Sequence, residues 1–92
     1  MQNNCFGKKY NFINVDERVN DNDVMDGILY VCDNDKLFQL KCPCGCGEII
    51  TGQLFPCESP RWKVIGNSMT PSINRLTGCR SHFQITNGIT HQ

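Results

Sequence analysis

The clearest alternation of hydrophobic and polar positions along the chain lies between residues 28 and 41. Ile28–Cys32 is a short run of β-branched and aromatic side chains, and Leu37–Lys41 alternates between apolar and polar residues. The turn-forming residues 33–35, Asp-Asn-Asp, separate the two runs. β-branched and aromatic residues favour strands, whereas Asp and Asn favour tight turns. This pattern predicts a β-hairpin.

Shorter patterns of the same kind continue toward the C-terminal end. Residues 48–54 resemble a further strand, and residues 62–65 alternate so that Trp62 and Val64 share one face, which predicts that Trp62 lies in the core. Asn87-Gly88 separates two apolar runs and is a strong hairpin signal, because both residues tolerate positive φ. Residues 66–73 break the pattern, and no segment is periodic over the length of a helix. The sequence therefore predicts a small all-β domain of antiparallel strands joined by short hairpins.

The N-terminal residues 1–26 lack this patterning. They are polar and rich in Asn and Asp, with apolar residues scattered in no period. A segment that buries little apolar surface cannot offset the conformational entropy that it loses on ordering. We therefore expect residues 1–26 to form a loosely ordered arm and residues 27–92 to form the β domain.

The small size of the chain favours a stabilising metal site. With 92 residues, of which 39% are hydrophobic, the core is marginal and needs support from a metal or from disulfides. The seven cysteines are an odd number, and the N-terminus has no apolar signal segment, which argues against an exported disulfide framework. No stretch approaches the roughly 18 consecutive apolar residues of a membrane span. We expect a cytoplasmic protein whose clustered cysteines bind metal rather than each other.

Three cysteines stand close together in the middle of the chain. Cys42, Cys44 and Cys46 offer three thiolates, and the proline and glycines among them allow the backbone to curl. The fourth ligand has to come from elsewhere, either from Cys79 beside a glycine-marked turn or from His82 three residues later. Four thiolates, or three with one imidazole, are typical of a closed structural zinc site. The four-cysteine set is the preferred hypothesis, with one Zn²⁺ per chain, so residues 27–92 are predicted to form a zinc-binding β domain.

Charge limits the classes of partner. Nine basic and nine acidic residues give zero net charge, which argues against a nucleic-acid binder that works by neutralising phosphates. The charges are unevenly distributed, because Asp16 to Asp35 contains seven acidic residues and one Arg, whereas from Glu58 onward four basic residues face Glu58 alone. A solvated surface is the simpler interpretation, and an acidic partner for the C-terminal half is the alternative.

A closed four-thiolate metal site has no open position for water, so catalysis would depend on other residues. Ser68, Ser72 and Ser81 are candidate nucleophiles, and His82 is the candidate general base. The other histidine, His91, lies next to the C-terminal residue. Serines near a histidine are common, so these residues by themselves also fit a domain without catalysis.

Three motifs follow one another along the chain: Cys42-Pro43-Cys44-Gly45-Cys46-Gly47, Ser68-Met69-x-Pro71-Ser72-Ile73 and Cys79-x-Ser81-His82-Phe83-x-Ile85. This series, within residues 27–90, resembles a small bacterial family of zinc-binding domains encoded beside ubiquitin-like proteins and their activating and conjugating enzymes. The resemblance implies a zinc-stabilised β domain that acts as a peptidase of serine type. Its role would be to process a ubiquitin-like precursor or to remove the ubiquitin-like protein from targets.

The resemblance also implies roles for individual residues. Ser68 or Ser72 would be the nucleophile and His82 the base, with backbone N–H groups around Gly66 and Asn67 as oxyanion donors. The implied partner is the C-terminal tail of a bacterial ubiquitin-like protein, which could bind by adding a strand to a sheet edge, and its activating and conjugating enzymes are further candidates. No membrane and no nucleic acid is expected as a partner. Two alternatives stay open: a zinc-bearing adaptor that binds a ubiquitin-like protein without cleaving it, and a zinc-ribbon-like nucleic-acid module.

Overall fold

The structure, a computed structural model, describes residues 6–56, 62–74 and 82–91. Its strands form two four-stranded sheets, in the orders β1-β2-β3-β4 and β5-β6-β7-β8. Within the described residues the helical structure is limited to a short 3-10 turn, Asp21–Asp23, and no helix is long and apolar enough to cross a membrane. The all-β prediction is confirmed. The strands are β1 (Asn11–Val15), β2 (Ile28–Cys32), β3 (Leu37–Lys41), β4 (Ile49–Gln53), β5 (Lys63–Ile65), β6 (Ser68–Asn74), β7 (His82–Thr86) and β8 (Ile89–His91).

The first sheet is buried on both faces at its centre. β2 and β3 form the predicted antiparallel hairpin, β4 pairs antiparallel with β3, and β1 lies parallel beside β2. Leu29 and Val31 on one face of β2 are buried, and so are Tyr30 and Cys32 on the other. A strand covered on both sides carries a nearly continuous apolar run, which explains why β2 does not alternate between apolar and polar residues.

The segment of residues 16–26 covers the outer face of this sheet. The side chain of the buried Gln39 donates to the carbonyl oxygen of Val19 at 2.7 Å and accepts from its N–H at 2.9 Å. The Tyr30 hydroxyl accepts from the N–H of Met25 at 2.8 Å. Each bond satisfies a buried polar group and at the same time holds the segment in place.

The N-terminal region differs from the loosely ordered arm expected from its composition. Residues 11–15 form β1, and Tyr10 and Val24 are buried. Tyr10 also donates a hydrogen bond from its hydroxyl to the carbonyl oxygen of Lys41. Few apolar residues are needed here, because the backbone of β1 pairs with β2 and single side chains reach the core. The described part of this region therefore belongs to the packed structure.

The second sheet is an antiparallel meander. Asn87 and Gly88 join β7 to β8 with φ of 53° and 80°, and this hairpin prediction is confirmed. β6 is a strand that the sequence did not predict, since Pro71 lies within it. The register shifts between Met69 and Ile73, and such an irregularity accommodates a proline, which has no N–H to offer a regular ladder.

The hydrophobic core lies between the inner faces of the two sheets. Trp62 packs against this core and is partly exposed, so the prediction that it lies in the core holds for part of its side chain. No layer of described residues covers the opposite face of the second sheet. Along β7 and β8, the side chains on that face alternate with the buried ones. The core cluster consists of Tyr10, Leu29, Val31, Phe38, Leu40, Leu54, Met69, Ile73, Phe83 and Ile85.

Candidate active site

A serine and a histidine meet on the exposed face of the second sheet. The hydroxyl oxygen of Ser72 on β6 lies 3.0 Å from Nε2 of His82, the first residue of β7. Ile73 pairs with Phe83 in the ladder, and both are buried, so their neighbours Ser72 and His82 face away from the core. With the imidazole proton on Nδ1, the hydroxyl donates to Nε2, which is the arrangement of a nucleophile and its general base.

Trp62 holds the backbone of Ser72 from the core side. Its indole Nε1–H donates to the carbonyl oxygen of Ser72 at 3.4 Å, and its ring meets the ring of Phe38 edge to face, with the centroids 5.4 Å apart. Gly52 on β4 leaves room for this contact, because a Cβ there would lie 2.5 Å from the Phe38 ring and 3.1 Å from that of Trp62. Ser72 is therefore positioned through a chain of packed rings.

Ser68, a second candidate nucleophile from the sequence, lies at the opposite end of β6. Its hydroxyl oxygen accepts from the N–H of Asn87 at 3.0 Å, in the turn between β7 and β8. Ser72 lies four positions after Ser68, roughly 13 Å at the usual rise per residue. Gly66 and Asn67 lie beyond Ser68 in the β5–β6 turn, so as oxyanion donors they would suit Ser68 rather than Ser72.

A second hydroxyl and imidazole pair lies on the same sheet. The Thr86 hydroxyl is 2.6 Å from Nε2 of His91, and both side chains are exposed. On β7 the residues that share a face with His82 are Gln84 and Thr86, so the described part of that face provides no carboxylate from this strand to orient the imidazole. Geometry by itself thus offers two nucleophile and base pairs, one with serine and one with threonine.

The cysteine run forms a compact cluster of sulfur atoms. The Sγ atoms of Cys42, Cys44 and Cys46 all lie within 4.8 Å of one another, and those of Cys42 and Cys44 are 3.4 Å apart. The curl is closed by a hydrogen bond from the N–H of Gly45 to the carbonyl oxygen of Cys42, and Gly45 has a φ of 90°. Sulfur ligands on one tetrahedral zinc are about 3.8 Å apart, given Zn–S bonds of about 2.3 Å. Three thiolates at this spacing can hold a metal ion.

Of the other two candidate metal ligands, the structure describes His82 but not Cys79. Cys79 lies outside the described residues, as does Ser81. His82 does not belong to the described group of possible metal ligands, and its Nε2 is next to Ser72 instead. Tyr10 lies next to the cluster, and burial raises its pKa, with smaller contributions from Asp26 and from the thiolates of Cys42 and Cys44. Its hydroxyl therefore stays protonated and continues to donate to Lys41.

A family model described as the bacterial ubiquitination-like system serine protease (BubE) matches residues 15–92. The chain belongs to this family. The resemblance inferred from the three motifs is thereby confirmed. No curated protein and no solved structure gives a significant match.

The family's description names a serine protease, and the described pair that contains a serine is Ser72 with His82. Sequence reasoning named Ser72 and His82 but did not find Trp62 or Gly52 as their support. A glycine in the middle of an otherwise regular strand was the available signal, since such a residue commonly marks a close approach of another group.

Proposed function

We propose that the chain is a serine peptidase that cleaves a bacterial ubiquitin-like protein, with Ser72 as the nucleophile and His82 as the general base. The observation that carries this proposal is the 3.0 Å contact between the Ser72 hydroxyl and Nε2 of His82 on an exposed face. The BubE family description supplies the reaction type and the ubiquitination-like setting. The substrate is either a precursor extended past its mature C-terminus or a conjugate on a target protein.

The chemistry follows from this pair. Ser72 Oγ forms a bond to the scissile carbonyl carbon while its proton passes to Nε2 of His82. The C–N bond then breaks, and His82 returns the proton to the leaving amine. Water attacks the acyl-enzyme with His82 again as base, which releases the new carboxylate and restores the Ser72 hydroxyl. Formation of the acyl-enzyme and its hydrolysis use the same imidazole nitrogen.

The metal in this proposal is a structural Zn²⁺. Cys42, Cys44 and Cys46 would supply three thiolates, and Cys79 would supply the fourth. An ion held in this way would tie the β3–β4 connection to the part of the chain that precedes His82. A closed zinc contributes to folding and leaves proton transfer to the side chains.

An open face suits a protein substrate. His82 is exposed and Ser72 is half-buried, so a chain that is still attached to a folded domain can reach the hydroxyl without entering a deep pocket. The basic Lys63 on neighbouring β5 is exposed as well and favours an acidic partner.

Cleavage of a ubiquitin-like precursor tests the proposal. The purified zinc-loaded protein is mixed with the ubiquitin-like protein of a matching bacterial system that carries a C-terminal extension, and the products are weighed by mass spectrometry. Ser72→Ala and His82→Ala should each lower kcat by about a thousandfold or more, because both residues act in the same transition state. Zinc content should stay at one ion per chain in both variants.

Ser68→Ala and His91→Ala are the matched controls, since each removes the same type of side chain from the same sheet. Both should keep kcat within about twofold of the unchanged protein. Loss of activity in Ser68→Ala with full activity in Ser72→Ala would contradict the assignment. Binding of the precursor with no cleavage by the unchanged protein would favour the adaptor instead.

A further inference from the structure

A serine peptidase needs a hydrogen-bond donor that the pair of Ser72 and His82 does not provide. When Ser72 Oγ bonds to the scissile carbonyl carbon, the carbonyl oxygen becomes an oxyanion, which a donor has to stabilise. Nε2 of His82 takes up the serine proton, and the backbone of Gly66 and Asn67 lies beyond Ser68, at the far end of β6. The residues that share the exposed face with Ser72 are therefore the next place for such a donor.

Gln84 lies across the β6–β7 ladder from Ser72. The register of this ladder shifts between Met69 and Ile73, and within the shift residues 70–72 of β6 face a single residue of β7, Gln84. Ser72 is the residue of this segment that adjoins Ile73, where regular pairing resumes. Side chains directly across an antiparallel ladder have their Cβ atoms about 5 Å apart. The Gln84 side chain therefore starts close to the Ser72 side chain.

The Gln84 side chain also lies on the same face as the catalytic pair. Its neighbours on β7, Phe83 and Ile85, are buried in the core, whereas Gln84 is half-buried and His82 is exposed. Alternate residues of a strand share one face, about 7 Å apart. Ser72 is thus flanked on β7 by His82, which contacts its hydroxyl, and by Gln84 one side-chain position further along.

The side-chain amide of Gln84 is open to a ligand. Within the described part of the chain, no residue forms a hydrogen bond with this amide. On the β8 side Gln84 faces His91, whose Nε2 lies 2.6 Å from the Thr86 hydroxyl. A primary amide carries two N–H donors and no charge, so it donates at every pH at which a histidine can act as a base. A half-buried amide with open donors therefore lies beside the candidate nucleophile.

We propose that Gln84 is a catalytic residue that donates a side-chain N–H to the oxyanion formed when Ser72 attacks the scissile carbonyl. Negative charge moves onto the carbonyl oxygen as the Oγ–C bond forms, and the hydrogen bond from Gln84 strengthens with that charge while the amide keeps its proton. When the C=O bond re-forms, the C–N bond breaks and His82 protonates the leaving amine. The same donor acts again when water attacks the acyl-enzyme. The inference rests on the peptidase function proposed above and deepens it by naming the group that stabilises its transition state.

Kinetics of Gln84→Met test the proposal, because methionine keeps the length of the side chain and removes both donors. With the extended ubiquitin-like precursor as the substrate, kcat should fall about a hundred- to a thousandfold and KM should stay within about threefold, the effect of losing one oxyanion donor. Gln84→Glu keeps the shape and polarity of the side chain. Above about pH 7 it should be slower still, because an ionised carboxylate donates no hydrogen bond and repels the oxyanion. Gln53→Met is the matched control at an exposed glutamine of β4, and its kcat should stay within about twofold.

The pH dependence of kcat/KM separates an oxyanion donor from a residue that only orients His82. An amide donor does not titrate, so the profile of Gln84→Met should keep the shape of the unchanged protein's profile, with the far-UV circular dichroism spectrum and the zinc content also unchanged. Cleavage by the unchanged protein together with full kcat in either Gln84 variant, or with a displaced pH profile in Gln84→Met, would overturn the role of Gln84 and leave the peptidase standing. Absence of cleavage by the unchanged protein would overturn the peptidase function and this inference with it.

Discussion

Gly52→Ala is a change of one methyl group that should disturb the core and the candidate site together. Gly52 lies opposite Phe38 in the β3–β4 ladder, and an added Cβ would sit 2.5 and 2.6 Å from two atoms of the Phe38 ring. Phe38 is fully buried, so its ring cannot simply swing into solvent. The ring has to shift, and Trp62, which packs edge to face on it, has to shift as well.

Two opposing effects determine how much Gly52→Ala changes the free energy of unfolding. Adding a methyl group to a well-packed core destabilises the fold by about 1–3 kcal/mol. Replacing Gly by Ala also lowers the conformational entropy of the unfolded chain, which stabilises the fold by about 0.4–1 kcal/mol. A net loss of about 1–2 kcal/mol lowers Tm by roughly 5–15 °C in a domain of this size. Movement of Trp62 also lengthens the 3.4 Å bond to the Ser72 carbonyl, so kcat should fall.

Thermal unfolding by circular dichroism measures the stability, and fluorescence reports on the surroundings of Trp62, the single tryptophan of the chain. Thr51→Ala on the same strand is exposed and should change the free energy of unfolding by less than about 0.5 kcal/mol. Combining Gly52→Ala with Phe38→Leu should cost less than the sum of the two single changes, because the smaller side chain relieves the close contact. A Gly52→Ala protein with unchanged Tm and fluorescence would refute this packing argument.

Two further predictions concern the metal and the N-terminal region. A strong chelator, or Cys44→Ser, should abolish the folded far-UV circular dichroism spectrum. Cys32→Ser, the control, should keep zinc at one ion per chain. A metal-free protein with an unchanged spectrum would contradict the structural role of zinc. Tyr10→Ala should lower the free energy of unfolding by about 3 kcal/mol, while Phe6→Ala, at a 45% exposed position, should change it by less than about 0.5 kcal/mol. Equal stability of these two variants would restore the view of this region as a loose arm.

Local signals predicted the hairpins of the fold. The Asp-Asn-Asp turn before Leu37 and the Asn87-Gly88 turn each join neighbouring strands, so short-range chemistry was sufficient to find β2 with β3 and β7 with β8. β1 was missed because it has no apolar alternation and gains its place by parallel pairing with a strand that starts more than ten residues later. β6 was missed because Pro71 breaks the pattern of a regular strand, and only the register shift of the folded sheet accommodates it.

The candidate site shows the same limit. The motifs named Ser68, Ser72 and His82 but could not choose between the serines, because β6 places them at opposite ends of one strand. The choice depends on pairing β6 with β7, which brings Ser72 beside a histidine ten residues away. The support from Trp62 and Gly52 depends on the packing of Trp62 against Phe38, and a glycine inside β4 was its one local signal in the sequence.

Covalent labelling tests most directly whether Ser72 and His82 form the catalytic pair. A fluorophosphonate reacts with a serine only when a neighbouring base activates the hydroxyl. The tryptic peptide of residues 64–75 contains both Ser68 and Ser72, and fragmentation of this peptide in a mass spectrometer locates the adduct. We expect the label on Ser72, at one per chain, and its loss in His82→Ala but not in His91→Ala. A label on Ser68, or labelling of Ser72 that persists in His82→Ala, would contradict the assignment.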